Sequence, residues 1–311
     1  MSETVLIRTP RVSVITPTFD RVELLPRLYE SLAAQTAQSF EWVVIDDGSS
    51  DGTEALVSRW AADSPFPIAY RRQPNRGKHV ALNRAFEVAR GEYLAMIDSD
   101  DAYLPHALER LLAVWETIPA GERERFVSVE ARCRLADGTI VGKPPPAPVL
   151  DSDYFEIWAV HGAGGDSVGM LRAAALSGYR FPEGDDGVVV TESLLWHRIA
   201  LRYRTRFVDE VLKVNHYQAT GLSARADTAW RRDARPMRSF YGDILAMPRP
   251  MPLRVRSKAA ANYLRYSLHA RVAAGEIWSD AGSHRPLLVL AAPVGAGAYL
   301  RDRVQSRRSS F

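Results

Sequence analysis

The chain has 311 residues, of which 46% are hydrophobic and 25% are charged, and its formal net charge is +3. This length and this balance are typical of one large folded domain, alone or with an appendage. They exclude a small scaffold that depends on disulfides, a fibrous protein and a wholly disordered chain.

The start of the chain and its cysteine content both concern the compartment in which the protein folds. Residues 1–11 are short and mixed in polarity, without the basic start and apolar core of a secretory signal. The single cysteine, Cys133, cannot form an internal disulfide and has no second thiol with which to bind a metal. We therefore expect a reducing compartment, the cytoplasm.

Strands and helices are predicted to alternate through the first 115 residues. Apolar, β-branched runs typical of buried strands occupy residues 12–16, 42–45, 68–70 and 93–97. Apolar residues recur at helical spacing in residues 22–32, 53–60, 79–89 and 105–115. Such alternation predicts an α/β fold, in which a parallel sheet carries helices on both faces.

Acidic and turn-forming residues follow three of the predicted strands. The sequence reads PTFD at residues 17–20, DD at residues 46–47 and DSDD at residues 98–101. Ligands of parallel sheets bind beyond the carboxyl ends of the strands, so we expect these acidic residues to meet at one rim. Because crowded carboxylates repel one another, the pattern favours a divalent cation bound together with a polyphosphate.

The segment that follows is less regular. Residues 126–135 and 139–141 are predicted to form two strands joined by a hairpin turn at Asp137-Gly138. Four prolines in residues 143–148 then interrupt the pattern. Beyond them we predict a short helix at residues 172–176 and a longer helix at residues 190–203.

A basic tail ends the chain. Residues 230–311 carry 15 Lys/Arg residues against five Asp/Glu residues, whereas residues 1–229 carry 25 against 32. We predict a body of residues 1–229 and a helical, basic C-terminal extension of residues 230–311, with a helix at 254–272. The extension is either an ordinary solvated surface or a surface that attracts anionic lipid or a polyanionic acceptor. Its apolar stretch at residues 286–300 is too short to span a bilayer, which takes about 20 residues, but it can lie on one.

Three motifs in the first half of the chain resemble the successive signatures of family 2 glycosyltransferases of the GT-A fold. They read SVITPTFDR at residues 13–21, WVVIDDGSSDGT at 42–53 and GEYLAMIDSDD at 91–101. The resemblance is clearest over residues 11–112 and continues more weakly to about residue 225. It implies a Rossmann-like GT-A fold with a mostly parallel central sheet flanked by helices. It also implies that residues 11–112 bind a nucleotide sugar and that residues 113–229 supply the acceptor site and the catalytic half.

The resemblance implies roles for residues in the first two motifs. Asp47 would accept a hydrogen bond from the uracil N–H of a bound nucleotide, a role that suits a group that accepts without donating. Phe19 would lie against the base, with Pro17 and Thr18 shaping the loop. From the residues alone, Asp46 and Asp47 could equally cap the next helix, and Phe19 could be a core aromatic.

The sequence Asp98-Ser99-Asp100 resembles the metal-binding motif of the family. Two carboxylates at i and i+2 after a strand can reach one hard cation, while diphosphate oxygens take its other positions. The resemblance assigns the ribose mainly to Asp98, includes Ser99 in the nucleotide-sugar site, and gives a Mn²⁺ or Mg²⁺ ion mainly to Asp100. His216, in a late loop that would close over the donor, would complete the cation's shell or contact the diphosphate. A solvated acidic turn and a packed loop histidine are the alternatives.

Residues 75–78 place a glycine between cations just before a predicted helix. Exposed N–H groups, the helix dipole and side-chain charge add at such a position, so it suits phosphate. The resemblance therefore adds Arg76, Lys78 and Asn83 to the nucleotide-sugar site. Solvated charges at a helix start are the alternative.

The general base must be a different residue, because a carboxylate that binds the metal cannot also take the proton of the acceptor. The resembling family supplies this base from a Glu-Asp motif at the start of a later helix. TESLLWHR at residues 191–198 is similar to that segment, with Glu192 in place of the usual Asp. Glu192 is thus the expected base, Asp185 and Asp186 compete for the role, and helix capping is the alternative.

Together these observations predict an inverting, metal-dependent glycosyltransferase. It would move a sugar from a nucleoside-diphosphate donor, a UDP-sugar by preference, to a hydroxyl of a saccharide or lipid-linked acceptor in cell-surface polysaccharide or glycolipid synthesis. A nucleotidyltransferase acting on sugar phosphates and a non-catalytic sugar-nucleotide-binding module are the alternatives. The basic tail suggests attachment to the inner face of the cell membrane. Nucleic-acid binding is disfavoured, because the body is acidic and no aromatic platform lies among the cations.

Overall fold

The computed structural model describes residues 9–183, 191–218, 230 and 233–308. The chain forms two compact units, neither of which is continuous in sequence. The first comprises Met1–Asp153, Ala163–Gly187 and Tyr203–Gln218, and the second comprises Tyr154–Gly162, Val188–Arg202 and Ala219–Phe311. The division into residues 1–229 and 230–311 stays a prediction. The second unit combines the predicted extension with three segments of the predicted body, residues 154–162, 188–202 and 219–229.

The first unit is built on a mixed sheet that has nine strands among the described residues. The strands are β1 (Val12–Thr18), β2 (Phe40–Asp46), β3 (Ile68–Arg72), β4 (Tyr93–Met96), β5 (Ala102–Tyr103), β6 (Phe126–Leu135), β7 (Val149–Ser152), β8 (Ser167–Arg172) and β9 (Arg204–Asn215). Their order is β3-β2-β1-β4-β8-β6-β9-β5, and β7 pairs with β9. The strands β3, β2, β1 and β4 run parallel, whereas β8 pairs antiparallel with both β4 and β6. The parallel pair of β6 and β9 follows.

Three helices connect the parallel strands β1 to β4, namely α1 (Leu25–Ala33), α2 (Thr53–Asp63) and α3 (Lys78–Val88). A fourth helix, α4 (Ala107–Glu116), lies between β5 and β6. All residues of β1 and β2 are buried, as expected of strands covered on both faces. The core joins them to the helices through side chains such as Leu28, Trp42 and Trp115. Burying one such side chain contributes about 1.5–3 kcal/mol. The predicted α/β class with helices around a mostly parallel central sheet is therefore confirmed.

The second half of the sheet differs from the expectations. Residues 173–176 form a 3₁₀ turn, and Arg172, expected to begin a helix, ends β8. The turn at Asp137-Gly138 forms, with Gly138 at a φ of 91°, but its second arm is reduced to one bridge between Arg134 and Ile140. The sequence analysis did not predict β5, β7, β8 or β9.

The second unit is helical in the part of the chain that the structure describes. Its helices are α5 (Glu156–Ala159), α6 (Ser193–Ile199), α7 (Arg235–Leu245), α8 (Leu253–His269), α9 (Ala274–Asp280) and α10 (Arg285–Arg308). The helices α8 and α10 approach closely, because a Cβ atom at Gly295 would lie only 2.6 Å from the Ala261 carbonyl oxygen. The buried Asp302 carboxylate accepts two hydrogen bonds from Arg265 and pairs with His269 at 3.0 Å, which fixes α10 on α8. None of the described helices is both long enough and apolar enough to pass through a membrane.

Candidate functional site

The strand register brings three predicted motifs to one edge of the sheet in the first unit. At the ends of β1 and β2, Thr18 lies opposite Asp46, and the Asp47 N–H donates to the Thr18 carbonyl at 2.8 Å. Beyond β4, the Ile97 N–H donates to the Ile15 carbonyl, which carries residues 98–101 past the end of β1. The carboxyl ends of neighbouring parallel strands thus meet, as the topology rule predicts.

The loop after β1 is tied to the loop after β2. The Asp20 N–H donates to the Ser49 hydroxyl at 2.9 Å, and the Asp20 carboxylate accepts from the Ser50 N–H at 2.7 Å. Asp20 has a φ of 49°, a left-handed conformation that aspartate tolerates better than most residues. Phe19 is 44% exposed between the buried Thr18 and this turn. Its ring is therefore outside the core and accessible to a ligand.

The two adjacent aspartates after β2 have separate structural roles. Asp46 accepts from the Ser49 N–H at 2.7 Å and from the Tyr70 hydroxyl at 2.5 Å. Asp47 accepts from the side-chain amide of Gln73 and from the backbone N–H groups of Arg76 and Gly77, at 2.8, 2.9 and 2.7 Å.

Neither carboxylate caps the helix that follows, because the residue before α2 is Gly52 and the helix start has no side-chain cap. Asp47 instead holds the loop that leads into α3. The Thr18 hydroxyl and the side-chain amide oxygen of Gln73 are buried without a hydrogen-bond partner among the described residues. Both residues contact Asp47, which places unused polar capacity beside this carboxylate.

The start of α3 supplies cations to the same edge. Lys78 forms an ion pair with Asp98, at 2.5 Å between Nζ and Oδ1, and Arg76 pairs with Glu183 at 3.3 Å. Asn83, expected in the nucleotide-sugar site, is buried. Its side-chain NH₂ group donates to the Phe181 carbonyl and to the Glu183 carboxylate, and its side-chain oxygen accepts from the Phe181 N–H. Asn83 therefore anchors residues 181–183 to α3, and its side-chain donors are used within the protein.

Three carboxylates lie in a row after β4, each with a different cationic partner. Asp98 pairs with Lys78, and Asp100 pairs with Arg21 at 3.4 Å. Asp101 pairs with Lys213 at 2.8 Å and accepts from the His216 N–H at 3.0 Å. Ser99 is buried between them.

The pKa values of these carboxylates reflect their partners. Burial raises the pKa of the Asp100 carboxyl, and repulsion from Asp98 and Asp101 raises it further. Desolvation acts in the same direction on Asp98, but its cations, led by Lys78, outweigh it and lower the pKa of that carboxyl. Asp100 is therefore the carboxylate whose negative charge is least compensated, and the one that gains most from an added cation.

A buried lysine behind this row was missed by the sequence analysis. Lys213 lies at the end of β9, is 5% exposed, and contacts both Asp101 and, at 3.6 Å, Asp166. Burial acts to lower the pKa of the Lys213 ammonium, but the surrounding carboxylates, led by Asp166, raise it well above its ordinary value. The group is thus a permanent cation. Asn215 donates to Asp166 from the same strand end.

His216 lies next to this lysine cluster. Its backbone is fixed by Asp101, and burial, followed by the charge of Arg27, lowers the pKa of its imidazole. The ring is therefore neutral at pH 7, the form that can bind a metal ion. The rest of the expected closing loop, residues 219–223, lies outside the described residues.

The described residues offer an incomplete set of ligands to the divalent cation that the resemblance implies. No group of three or more His, Cys, Asp or Glu side chains within the described ranges is arranged to hold a metal ion. A complete protein cage is therefore absent from that part of the chain. Mg²⁺ ions commonly bind through one or two carboxylates plus substrate phosphates, and Asp98 and Asp100 fit that mode.

The expected base, Glu192, belongs to the second unit. It is the residue before the first turn of α6, and its carbonyl accepts from the N–H groups of Leu195 and Trp196. Helix α6 spans seven residues, which is shorter than the predicted 190–203. The two competing carboxylates, Asp185 and Asp186, lie outside the described residues.

Comparison with known proteins identifies the segment that carries these motifs. Residues 13–161 match the sequence profile described as "Glycosyl transferase family 2". This segment of the chain is therefore similar to glycosyl transferase family 2. The family 2 segment contains the loops after β1, β2 and β4, so it includes every predicted donor-site residue except His216.

Two curated relatives align with the family 2 segment. The chain is 35% identical over 107 residues to the Nostoc sp. protein "Uncharacterized glycosyltransferase alr2836", which covers 34% of this chain and 33% of that protein. It is 35% identical over 104 residues to the Bacillus subtilis protein "Putative teichuronic acid biosynthesis glycosyltransferase TuaG", which covers 33% of this chain and 41% of that protein. The chain thus spans well under half the length of these relatives.

Solved structures extend the likeness to most of the chain. TarS residues 1–349 from S. aureus, solved with UDP-GlcNAc, match with a TM-score of 0.65 over 96% of this chain and 92% of that chain, at 19% identity. The mannosyltransferase PcManGT from Pyrobaculum calidifontis, solved with GDP-Man and Mn²⁺, matches with a TM-score of 0.57 over 94% of this chain and 81% of that chain, at 22% identity. These matches confirm the GT-A-like fold.

Proposed function

We propose that this protein is an inverting glycosyltransferase that uses a UDP-sugar and acts in bacterial polysaccharide synthesis. The observation that carries the proposal is the convergence of Asp47, the cationic start of α3 and residues 98–101 at one sheet edge. The family 2 match supports the reaction class, TuaG supports the polysaccharide context, and the UDP-GlcNAc bound by TarS supports the donor class.

The donor would lie along the edge formed by β1, β2 and β4. Phe19, exposed at the tip of β1, offers its ring to the base. Asp47 keeps the loop before α3 in place and has one oxygen that accepts a single bond, so it retains capacity to accept an N–H of the base. Arg76 and Lys78 carry the positive charge that diphosphate requires.

The cation site would be formed by Asp100, with Asp98 and His216 as further candidates. A bound Mn²⁺ or Mg²⁺ ion would supply positive charge that stabilises the departing diphosphate. The Mn²⁺ in PcManGT supports this assignment. Because the described residues provide no complete cage, we expect the ion to bind weakly until diphosphate oxygens add to its ligands.

Glu192 would act as the general base. Its carboxylate would take the proton of an acceptor hydroxyl, the hydroxyl oxygen would bond to the anomeric carbon, and the bond from that carbon to the diphosphate oxygen would break on the opposite face. This single displacement inverts the anomeric configuration. General-base catalysis of this kind is worth about 10²- to 10⁴-fold in rate.

Calorimetric titration of UDP, UDP-GlcNAc and GDP-Man tests the donor, each with and without Mn²⁺. We expect a UDP-linked ligand to bind more tightly with the ion and to stabilise the protein by about 2.7 kcal/mol at 100 times its Kd. Asp100→Asn should abolish the effect of the ion. The matched control is Asp63→Asn, which changes an exposed carboxylate at the C-terminal end of α2. Equal binding of all three ligands, or full ion dependence in Asp100→Asn, would contradict the proposal.

Glu192→Gln and Glu192→Asp test the base. Glu192→Gln should lower kcat by about 10²- to 10⁴-fold while donor affinity stays unchanged, and Glu192→Asp should recover part of the rate. The anomeric configuration of the product, followed by NMR, tests inversion. Normal turnover in Glu192→Gln, or retention of configuration, would refute this mechanism without affecting the donor assignment.

A further inference from the structure

Helix α10 has two apolar faces, of which the helix bundle uses one. Leu288, Ala291, Gly295 and Asp302 are buried, and the last two contact α8 through Ala261 and Arg265. At 3.6 residues per turn these four positions fall within an arc of about 60° around the helix axis. This narrow stripe is the face that docks α10 onto the rest of the second unit.

The opposite face of α10 is apolar and exposed. Its members are Val289 (58% exposed), Leu290 (78%), Val294 (66%), Leu300 (61%) and Val304 (52%). They fall within an arc of about 140° centred opposite the buried stripe. Single exposed apolar side chains are ordinary, but a continuous stripe along a helix marks a surface that binds something.

The charges around this stripe limit what can cover it. Helix α10 contains five arginines and one acidic residue, Asp302, which is buried against Arg265. Among the side chains that the structure describes, Arg285, Arg301 and Arg303 are exposed, so the exposed charges of this part of α10 are all positive. A second copy of the chain would bring two sets of arginines together, which disfavours self-association through this face.

An aromatic side chain lies beside the first turn of the same helix. Trp278 is 50% exposed, and Arg285 stacks over its ring at 5.3 Å while donating to its carbonyl. Trp and Arg side chains both favour the boundary between lipid headgroups and acyl chains, where an apolar body and a polar end are satisfied together.

We infer that α10 lies flat on an anionic lipid bilayer. Its outer stripe enters the boundary between headgroups and acyl chains, and its arginines and Trp278 contact the headgroups. Arg285 and Arg303 fall at one margin of the outer stripe, and Arg301 falls within it, where its long side chain can extend to the headgroups. Exposed apolar residues together with cations bind a helix to a membrane surface in this way. This inference goes beyond the proposed catalytic function and does not depend on it, since it uses residues of the second unit alone.

Flotation with lipid vesicles tests the inference on the full chain. We expect the protein to float with phosphatidylglycerol/phosphatidylcholine vesicles at low salt, and to remain behind with pure phosphatidylcholine vesicles or in 0.5 M salt. Leu290→Glu should weaken binding by at least about tenfold, because it places a charge in the acyl boundary. Leu290→Ala should weaken it less, since it removes apolar area and adds no charge.

Two controls separate membrane binding from other effects. Ser283→Glu adds the same charge at an exposed position outside the stripe and should float like the unaltered protein. Thermal unfolding of Leu290→Glu should match that of the unaltered protein, because Leu290 has few partners to lose. Nucleotide binding by Leu290→Glu should also be unchanged, so a failure of the donor assignment would not be confused with a failure here.

Three results would overturn the inference. The first is an unaltered protein that does not float with anionic vesicles, and the second is a Leu290→Glu variant that floats as well as the unaltered protein. The third is a dimer, detected by sedimentation velocity and abolished by Leu290→Glu, in a protein that does not bind vesicles. That result would assign the stripe to a second copy of the chain.

Discussion

Lys213→Met removes the buried cation behind the acidic row and keeps the apolar stem of the side chain. In the native protein Lys213 Nζ lies 2.8 Å from Asp101, and both side chains are at most 7% exposed. Removing one partner of such a pair leaves a buried charge without compensation, which costs about 3–5 kcal/mol. With a shift of about 2–4 °C per kcal/mol, the melting temperature should fall by roughly 6–20 °C.

Scanning calorimetry of four proteins measures this fall in melting temperature. They are the unaltered protein, Lys213→Met, Asp101→Asn and the double variant. The double variant should be more stable than Lys213→Met, because the amide that replaces the Asp101 carboxylate carries no charge that needs a partner, and this recovery is specific to a charge effect. Lys143→Met, which alters an exposed lysine, is the control and should change stability by less than about 0.5 kcal/mol.

The pH dependence gives a second test of the same pair. The pKa of Lys213 is raised in the folded state, so its contribution is complete below the unfolded pKa and is lost only as pH rises through the folded one. Between pH 6 and 9 it is constant. Burial raises the pKa of the Asp101 carboxyl, so protonation of Asp101 in Lys213→Met favours the folded state. The loss of stability of Lys213→Met relative to the unaltered protein should therefore become smaller as pH falls towards 4. The reasoning would be refuted if Lys213→Met lowered the free energy of unfolding by less than about 1 kcal/mol, or if adding Asp101→Asn did not recover part of that loss.

Three further predictions concern the first unit. Gly91→Ala places a Cβ atom 2.5 Å from the Ser13 backbone nitrogen and should cost about 1–3 kcal/mol in thermal unfolding, whereas Gly121→Ala meets nothing within 4 Å and should be neutral or slightly stabilising. Burial raises the pKa of the Cys133 thiol, so Ellman's reagent at pH 8 should detect no thiol in the native protein and one after denaturation; a reactive native thiol would contradict this. Phe19→Ala should weaken UDP binding by about tenfold, measured by calorimetry, without lowering the melting temperature, because its ring is exposed; an unchanged Kd would remove Phe19 from the donor site.

The parallel half of the sheet could be predicted because each of its strands follows a simple rule. β1 and β2 are buried on both faces, so they are nearly continuous apolar runs, and turn residues follow each of them. The meeting of residues 17–20, 46–47 and 98–101 followed from the strand direction alone. What the sequence does not contain is the set of partners, such as the pairing of Asp47 with Gln73 and Gly77.

The strand β9 shows why the other half could not be predicted. It is buried unevenly along its length, and its pairing with β6 shifts register three times, so its side chains do not alternate with a period of two. Lys213 therefore reads as a solvated charge in an irregular segment. Its partner Asp101 is 112 residues away in sequence, and only the fold reveals that the two form a buried pair.

The ion pair between Lys78 and Asp98 has a consequence for how the proposed donor and cation would bind. Diphosphate that attracts Lys78 would compete with Asp98 for the ammonium group, which lies 2.5 Å from the carboxylate. A divalent cation would compensate Asp98 for the charge it gives up. Each ligand therefore lowers the cost of binding the other, and linkage requires that Mn²⁺ raise UDP affinity by the same factor as UDP raises Mn²⁺ affinity.

Lys78→Met separates this coupling from a simple loss of the site. The variant lacks a cation for diphosphate, so UDP affinity should fall. Asp98 loses its partner at the same time, so Mn²⁺ affinity in the absence of nucleotide should rise, opposite to the effect on UDP. Calorimetric titrations of UDP and of Mn²⁺, each alone and in the presence of the other, measure all four constants. If both affinities fall together in Lys78→Met, Asp98 does not exchange its ammonium partner for the metal ion, and donor binding and metal binding are not coupled through this pair.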